Sequence, residues 1–588
     1  MAGEKQADWV AAAADGVIAE GKNRGVDGPV VCASGISPSG PIHLGNLREI
    51  MVPHFVADEV RRRGLESRHV LSWDDYDRFR KVPAGLGLPE SFAEHIGRPL
   101  TSVPDPCGEH ANWAEHFKAP FRAALQQLGV EIVEISQSQM YTSGAYREQI
   151  LLAMRERHRI DAVLGAYRTK NGGAGAGGGE GVADDEGDGG GDVDGDEGAA
   201  AGGEYFPYKP YCQVCGRDST AVVSYDDGTT DLRYTCACGH SGGFALAETD
   251  HGKLVWKVDW PMRWAYEGVT FEAGGVDHSS PGSSFTVGQR LVREIFGGQP
   301  PLYLAYSFVG TSGAAKMSGS TGGAPTPGDA LEILEAPIVR WLYGRRRPNQ
   351  SITVSFDQEV GRLYDEWDAL GRRVASGASD VWEQAIHARS AGPAAGPLPT
   401  TPRPFPFRVL ASVVDVTAGN DAQILRILRD LDGGGTQAVT QSQTTQTQAI
   451  QTQTQIADLG EARPRLDCAR AWITTYVPAD ARTHVRSEPD REGLDALSDE
   501  QREAVALLVE RLEDDWSLEG LTALVYGVPK LQAGLPLDAP ATPELKTAQR
   551  ALFTLLYRLL VGADTGPRLP TLLLALGPER IRTLLAAA

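Results

Sequence analysis

Three clusters in the 588-residue sequence carry residue types able to do chemistry. The first is PSGPIHLGN, residues 38–46, directly after the apolar run PVVCASG. Glycines at 40 and 45 let a backbone approach a phosphate, and a helix starting here offers unpaired N–H groups and the positive end of its dipole. His43 and Asn46 can donate hydrogen bonds to charge that develops on a phosphoryl group. The second is Lys316-Met317-Ser318-Gly319-Ser320, in a Gly/Ser-rich loop after LYLAYSFV. A cation placed there suits neutralisation of a leaving pyrophosphate. The third is Cys212, Cys215, Cys236 and Cys238 with His240. Paired thiolates at this spacing form a zinc knuckle, and a closed tetrahedral site is structural, because it leaves no position for substrate. Cys212, Cys215 and Cys236 are three ligands, and the fourth is Cys238 or His240. A further set, Asp105, Glu109, His110 and His116 in PDPCGEHANWAEHF, holds oxygen and nitrogen donors competent for a second metal.

These loops need elements to hold them. Residues 29–35 read as a buried strand, about 47–63 as a helix, and 68–73 as a second strand that ends in Asp74, Asp75 and Asp77. An amphipathic stretch, 113–128, runs into the strand GVEIVEI, and 302–309 suits a last buried strand. Such alternation predicts an α/β fold, a Rossmann-type parallel sheet with its binding loops at the strand C-terminal ends. The zinc-binding segment, 204–250, is an insertion between two halves of this domain, 1–170 and 251–348. From 349 to 588 helical patterns dominate, notably 358–376, 498–515, 518–527 and 543–561, which predicts an α-helical C-terminal domain. Residues 171–203, with nine acids and no base, and the Gln/Thr-rich tract 436–455 read as disordered low-complexity segments.

The net charge of −21 argues against a protein that binds nucleic acid by bulk positive charge, although the 171–203 segment supplies nearly half of it. RWLYGRRRP, 340–348, is the best local basic patch for RNA phosphates. The start, MAGEKQADWV, lacks the pattern of a signal peptide, and no run of eighteen apolar residues appears, so neither secretion nor a membrane span is expected. Seven cysteines, four of them clustered, fit a cytoplasmic metal site better than a disulfide framework.

HLGN resembles the HIGH signature, and KMSGS the KMSKS signature, of class I aminoacyl-tRNA synthetases. The longer strings SGISPSGPIHLGNLRE and KVDWPMRWAYEGV…GVDH resemble the class I lysyl-tRNA synthetase family, a mainly archaeal form. The likeness is good over about 25–345 and weak in the helical half. It implies ATP-dependent ligation of L-lysine to tRNA(Lys) through a lysyl-adenylate, with Mg²⁺, in a cytoplasmic and monomeric protein whose helical domain binds the anticodon. His43, Asn46 and Lys316 would be catalytic. Pro38, Gly40, Gly45, Ser318 and Ser320 would join them around ATP. Gly319 stands where many class I enzymes carry a second lysine. An ammonium on an aliphatic stem wants a carboxylate and aromatic walls. That makes Glu49, Trp256, Asp277, His278 and Tyr306 the lysine-binding candidates, with Gly35 and Ser37 facing the amino-acid backbone. The resemblance also implies one or two zinc ions. In the second site Cys107 lies two positions from the place where the family has a cysteine, so either Glu109 substitutes or the site is degraded. Two rival readings use part of this pattern. One is the same catalysis with glutamate, glutamine or arginine, where an acidic substrate would want an Arg beside Gly35 and Ser37. The other is a non-catalytic, zinc-containing nucleic-acid-binding protein, which leaves both loops without a role.

Overall fold

The computed structural model describes residues 8–25, 27–83, 85–171, 203–279, 283–311, 324–392, 405–433 and 455–586, without the side chains of 168–171, 277 and 279. Lys316, Ser318 and Ser320, the side chain of Asp277, and almost all of both low-complexity segments lie outside these residues. The chain divides into two compact units. One comprises Met1–Leu331, Ala336–Ser355 and Leu370–Ala395, and the other Glu332–Glu335, Phe356–Ala369 and Gly396–Ala588. A single cut at residue 348 was expected. Instead, the helices Ala336–Gly344 and Val381–Ala391 pack together within the first unit.

Largely apolar segments build a five-stranded parallel sheet in the first unit. Its order is Leu302–Tyr306, Val269–Gly275, Val30–Ile36, Ser67–Trp73, Val133–Ser136. The first strand in the chain therefore sits in the middle, and the connections reverse direction between it and Val269–Gly275. In doubly wound sheets that switch point is where the strand C-termini open a ligand crevice. The predicted last strand, 302–309, is broken: Leu302–Tyr306 joins this sheet, whereas Val309–Gly310 pairs with Ile352–Thr353.

The first helix of the crevice begins earlier than the apolar pattern indicates, at Leu44, and runs to Arg62. His43 is its N-cap and closes a capping box with Asn46. A cap formed by His and Asn, within a Gly/Pro-rich loop, hides the start of the helix from a periodicity reading.

The cysteine-bearing insertion is β-rich. Thr220–Tyr225, Asp231–Cys236 and Ser241–Ala245 form an antiparallel sheet, and Tyr208–Pro210 pairs with Gly252–Leu254. The helix Trp256–Glu267 follows and leads back to the central sheet. The second unit is α-helical, with Leu518–Gln532, Pro543–Val561, Leu569–Leu576 and Pro578–Leu585 packed around leucine-rich faces. No described helix is long and apolar enough to cross a membrane.

Candidate active site and metal clusters

A crevice opens at the switch point, lined by Gly35, Ile36 and Ser37 from the first strand and by Gly274 and Gly275 from its neighbour. His43, Gly45, Asn46, Glu49, Trp256, His278 and Tyr306 line it too, so seven further residues expected around ATP or lysine share one space with Gly35 and Ser37. Pro38 and Gly40 belong to the same loop but are not part of the lining.

Capping fixes the chemistry of the two loop residues. His43 Nδ1 accepts the Gly45 N–H at 2.9 Å, which places the proton of a neutral imidazole on Nε2 and makes that atom a donor. The His43 N–H donates to Asn46 Oδ1 at 3.1 Å, leaving the Asn46 amide nitrogen as its donating end. One turn on, Glu49 accepts a hydrogen bond from the Tyr306 hydroxyl, across to the last strand of the sheet. Arg48 is buried beside them and donates to the carbonyls of Ser307, Pro348 and Gln350 at 2.7, 2.8 and 2.8 Å, fastening the chain after that strand.

The floor of the crevice contains charged residues that the motifs did not flag. Arg263 donates to Asp74 at 2.6 Å, to Ser72 at 3.1 Å and to the fully buried Asp259. Tyr141 donates to the other Asp259 oxygen at 2.6 Å, and Lys253 binds Asp77. Burial pushes Asp74 up to about 6, against the pull of Arg263, and lifts Glu267 and Glu272 to about 7. Among the described lining residues four acids, Glu49, Asp74, Glu267 and Glu272, face one permanent cation, Arg263. That cation is already paired with two carboxylates. The signals were legible in part: Asp259 and Arg263 are four apart on one helix, a spacing that brings them together. Glu272 is an acid inside an apolar strand, a pattern that needs a reason.

RWLYGRRRP does not present its first arginine to RNA. Arg340 is 1% exposed, and donates to Leu128 O at 2.7 Å and Arg389 O at 2.8 Å. Trp341 and Tyr343 are buried with it.

Among the described residues, two groups of metal-ligating atoms each lie within 4.8 Å of one another. Cys212, Cys215, Cys236 and Cys238 form one, with Sγ–Sγ separations of 3.8 Å (212 to 238) and 3.7 Å (215 to 236). A tetrahedron with Zn–S bonds of ~2.3 Å has edges of about 3.8 Å, so the quartet fits zinc. His240 is not in the group; its carbonyl instead accepts the Cys236 N–H at 2.9 Å. The second group is Asp105, Cys107, His110 and His116. Cys107 thus occupies the place expected of Glu109: the loop turns through Gly108, in the left-handed region at φ 78°, and Asp105 accepts the Cys107 and His110 N–H groups. This folding back offsets the two-residue shift along the sequence.

A family model described as tRNA synthetases class I (K) matches residues 7–391. The chain is 58% identical to the lysine--tRNA ligase of Streptomyces coelicolor over 98% of both chains. It is 31% identical to the lysine--tRNA ligase of Pyrococcus horikoshii over 97% of each, and 30% identical to that of Treponema pallidum over 99% of each.

Proposed function

This chain belongs to the class I (K) tRNA synthetases, and from that premise we infer that it joins L-lysine to tRNA(Lys) with ATP, by way of a lysyl-adenylate. A carboxylate oxygen of lysine attacks the α-phosphorus of ATP, and the bond to pyrophosphate breaks. The terminal 2′-hydroxyl of the tRNA then attacks the lysyl carbonyl, releasing AMP. No protein nucleophile takes part, so the residues work by placement and charge.

His43 Nε2 and the Asn46 amide donate to the phosphoryl oxygens, with the N-terminus of the Leu44–Arg62 helix and the Gly45 backbone behind them. Pro38 and Gly40 shape that loop. Lys316, with Ser318 and Ser320, takes the pyrophosphate end, alongside the Mg²⁺ that enters with ATP. Glu49 and Tyr306 receive the lysine ammonium, and Trp256 and His278 wall its aliphatic stem, with Asp277 nearby. Gly35 and Ser37 meet the amino-acid backbone. The observation that carries this reading is the juxtaposition of the His43–Asn46 cap and the Glu49–Tyr306 pair in one acid-rich crevice at the sheet's switch point. Four acids against one neutralised arginine favour a cationic substrate over glutamate. The alternative of a nucleic-acid-binding module without catalysis finds no use for that crevice.

Cys212, Cys215, Cys236 and Cys238 would hold a structural Zn²⁺, and Asp105, Cys107, His110 and His116 would hold a second metal. Their service is mechanical. The cysteine insertion donates Tyr211 O–H to Tyr76 O at 2.6 Å and the Asp218 N–H to Gly97 O at 2.8 Å, bracing the loop that leaves Asp74. Metal analysis distinguishes the fourth ligand: C238S loses one zinc per chain, and H240A keeps it. On this reading the protein is a cytoplasmic monomer, the clustered cysteines fitting a metal site in a reducing compartment better than a disulfide framework. ATP–pyrophosphate exchange across the twenty amino acids, with and without tRNA, tests the activity. Exchange is expected with lysine, and a preference for another amino acid contradicts the reading.

A further inference from the structure

Trp256, Trp260 and Trp264 recur every fourth residue on the Trp256–Glu267 helix and so share one face. The rings form a continuous series: Trp256 and Trp260 stack at 5.2 Å and 15°, and Trp260 meets Trp264 at 4.9 Å and 56°. Indole N–H groups need partners when buried. Trp260 Nε1 donates to Glu272 Oε1 at 3.0 Å, and Trp264 Nε1 donates to Glu272 Oε2. Glu272 comes from the middle of the Val269–Gly275 strand and is 6% exposed. Each of its oxygens is therefore committed to a different ring. At the outer end of the series, Trp256 lies with its ring centroid 5.4 Å from the Arg263 guanidinium, itself held by Asp74 and Asp259.

A buried carboxylate is a costly way to satisfy two indoles unless their exact placement matters. We propose that Glu272 is a positioning residue for substrate length: by locking Trp260 and Trp264 it sets, through the stack, where Trp256 stands against the aliphatic stem of the bound amino acid. The inference rests on the lysine reading above. A wall fixed at both ends measures the stem, because a shorter diamino acid leaves a gap and carries its ammonium short of Glu49 and Tyr306. A wall freed from Glu272 closes that gap and tolerates the shorter substrate.

The test compares lysine with ornithine, one methylene shorter, in ATP–pyrophosphate exchange by the full-length protein with tRNA present. Glu272→Gln keeps one acceptor oxygen, Glu272→Ala keeps none, and Trp264→Phe removes one donor from the opposite side. In Glu272→Ala the lysine-over-ornithine ratio of kcat/KM falls by about tenfold, the scale set by one methylene in an apolar pocket. Glu272→Gln and Trp264→Phe fall by less. The effect resides mainly in the KM for lysine, with the KM for ATP unmoved, and tryptophan emission shifts to the red as the rings loosen. Folded variants that retain the wild-type ratio overturn the proposal. So does a selectivity loss in Glu272→Ala that Trp264→Phe does not share, since that pattern makes Glu272 a direct ligand of the ammonium. Absence of lysine exchange in the wild type would instead refute the activity reading, whereas the emission shift reports on the tryptophan lock independently of catalysis.

Discussion

Arg263 on the crevice floor and Arg340 behind the Leu44–Arg62 helix are 4% and 1% exposed, yet the fold satisfies their hydrogen-bonding groups in different ways. Arg340 meets main-chain carbonyls and His54, and burial lowers it to about 10. Arg263 meets two carboxylates, and Asp259 and Asp74 overcome the cost of burial and raise it well above its usual range. A guanidinium spread over neutral carbonyls joins chain segments, and its burial keeps its charge away from solvent. One matched by acids next to three further lining acids, Glu49, Glu267 and Glu272, builds a site that a cationic substrate enters. Buried arginines thus do two jobs here, and the partner atoms tell which.

The comparison breaks most readily at Arg263. Replacing it with Met strands two buried carboxylates, with an expected loss of about 3–5 kcal/mol in stability and of lysine-dependent exchange. Urea unfolding and the exchange assay read the two effects, and an active, stable variant would remove the floor from the account. Lys316→Ala is expected to cut adenylate formation by roughly 10²–10³-fold, the worth of one group stabilising a transition state. Its melting temperature should stay at the wild-type value, and unaltered exchange would count against its role. Arg340→Met sharpens the contrast from the other side. It should cost about 1–3 kcal/mol for stranded carbonyls, while kcat/KM per folded molecule stays level.

The smallest effect concerns pH. Burial raises Glu272 from 4.5 to about 7, so the unfolded chain releases this proton first as pH rises. Between those values the folded state holds the extra proton, and the stability owed to this group falls as pH increases. Glu272→Gln lacks the titration. Relative to it, the wild type should lose melting temperature between about pH 5 and about pH 7.5. A constant difference across that range would show an ordinary carboxyl at this position.

Much of the site could be read from residue order because its parts are local. The cap His43–Asn46 and the knuckle Cys212–Cys215 lie within single loops, and four of the five strands of the sheet follow from apolar runs, Val269–Gly275 being the one not read. What escaped depends on packing between segments or on the exact path of a turn. Arg340 looked like one of four exposed bases in RWLYGRRRP, and only packing against Leu128 and Arg389 turned it inward. Cys107 looked misplaced by two positions until the turn at Gly108 folded its sulfur toward His110 and His116. Glu272 has no motif at all; its role depends on two tryptophans eight and twelve residues earlier, on a different element.

The most direct test is a crystal structure of the full chain with a non-hydrolysable lysyl-adenylate analogue. The account predicts the phosphate mimic against His43 Nε2 and the Asn46 amide, and the lysyl ammonium between Glu49 and Tyr306, with its stem along Trp256. An analogue bound in another cavity, or seated here with its ammonium directed away from Glu49, would contradict it.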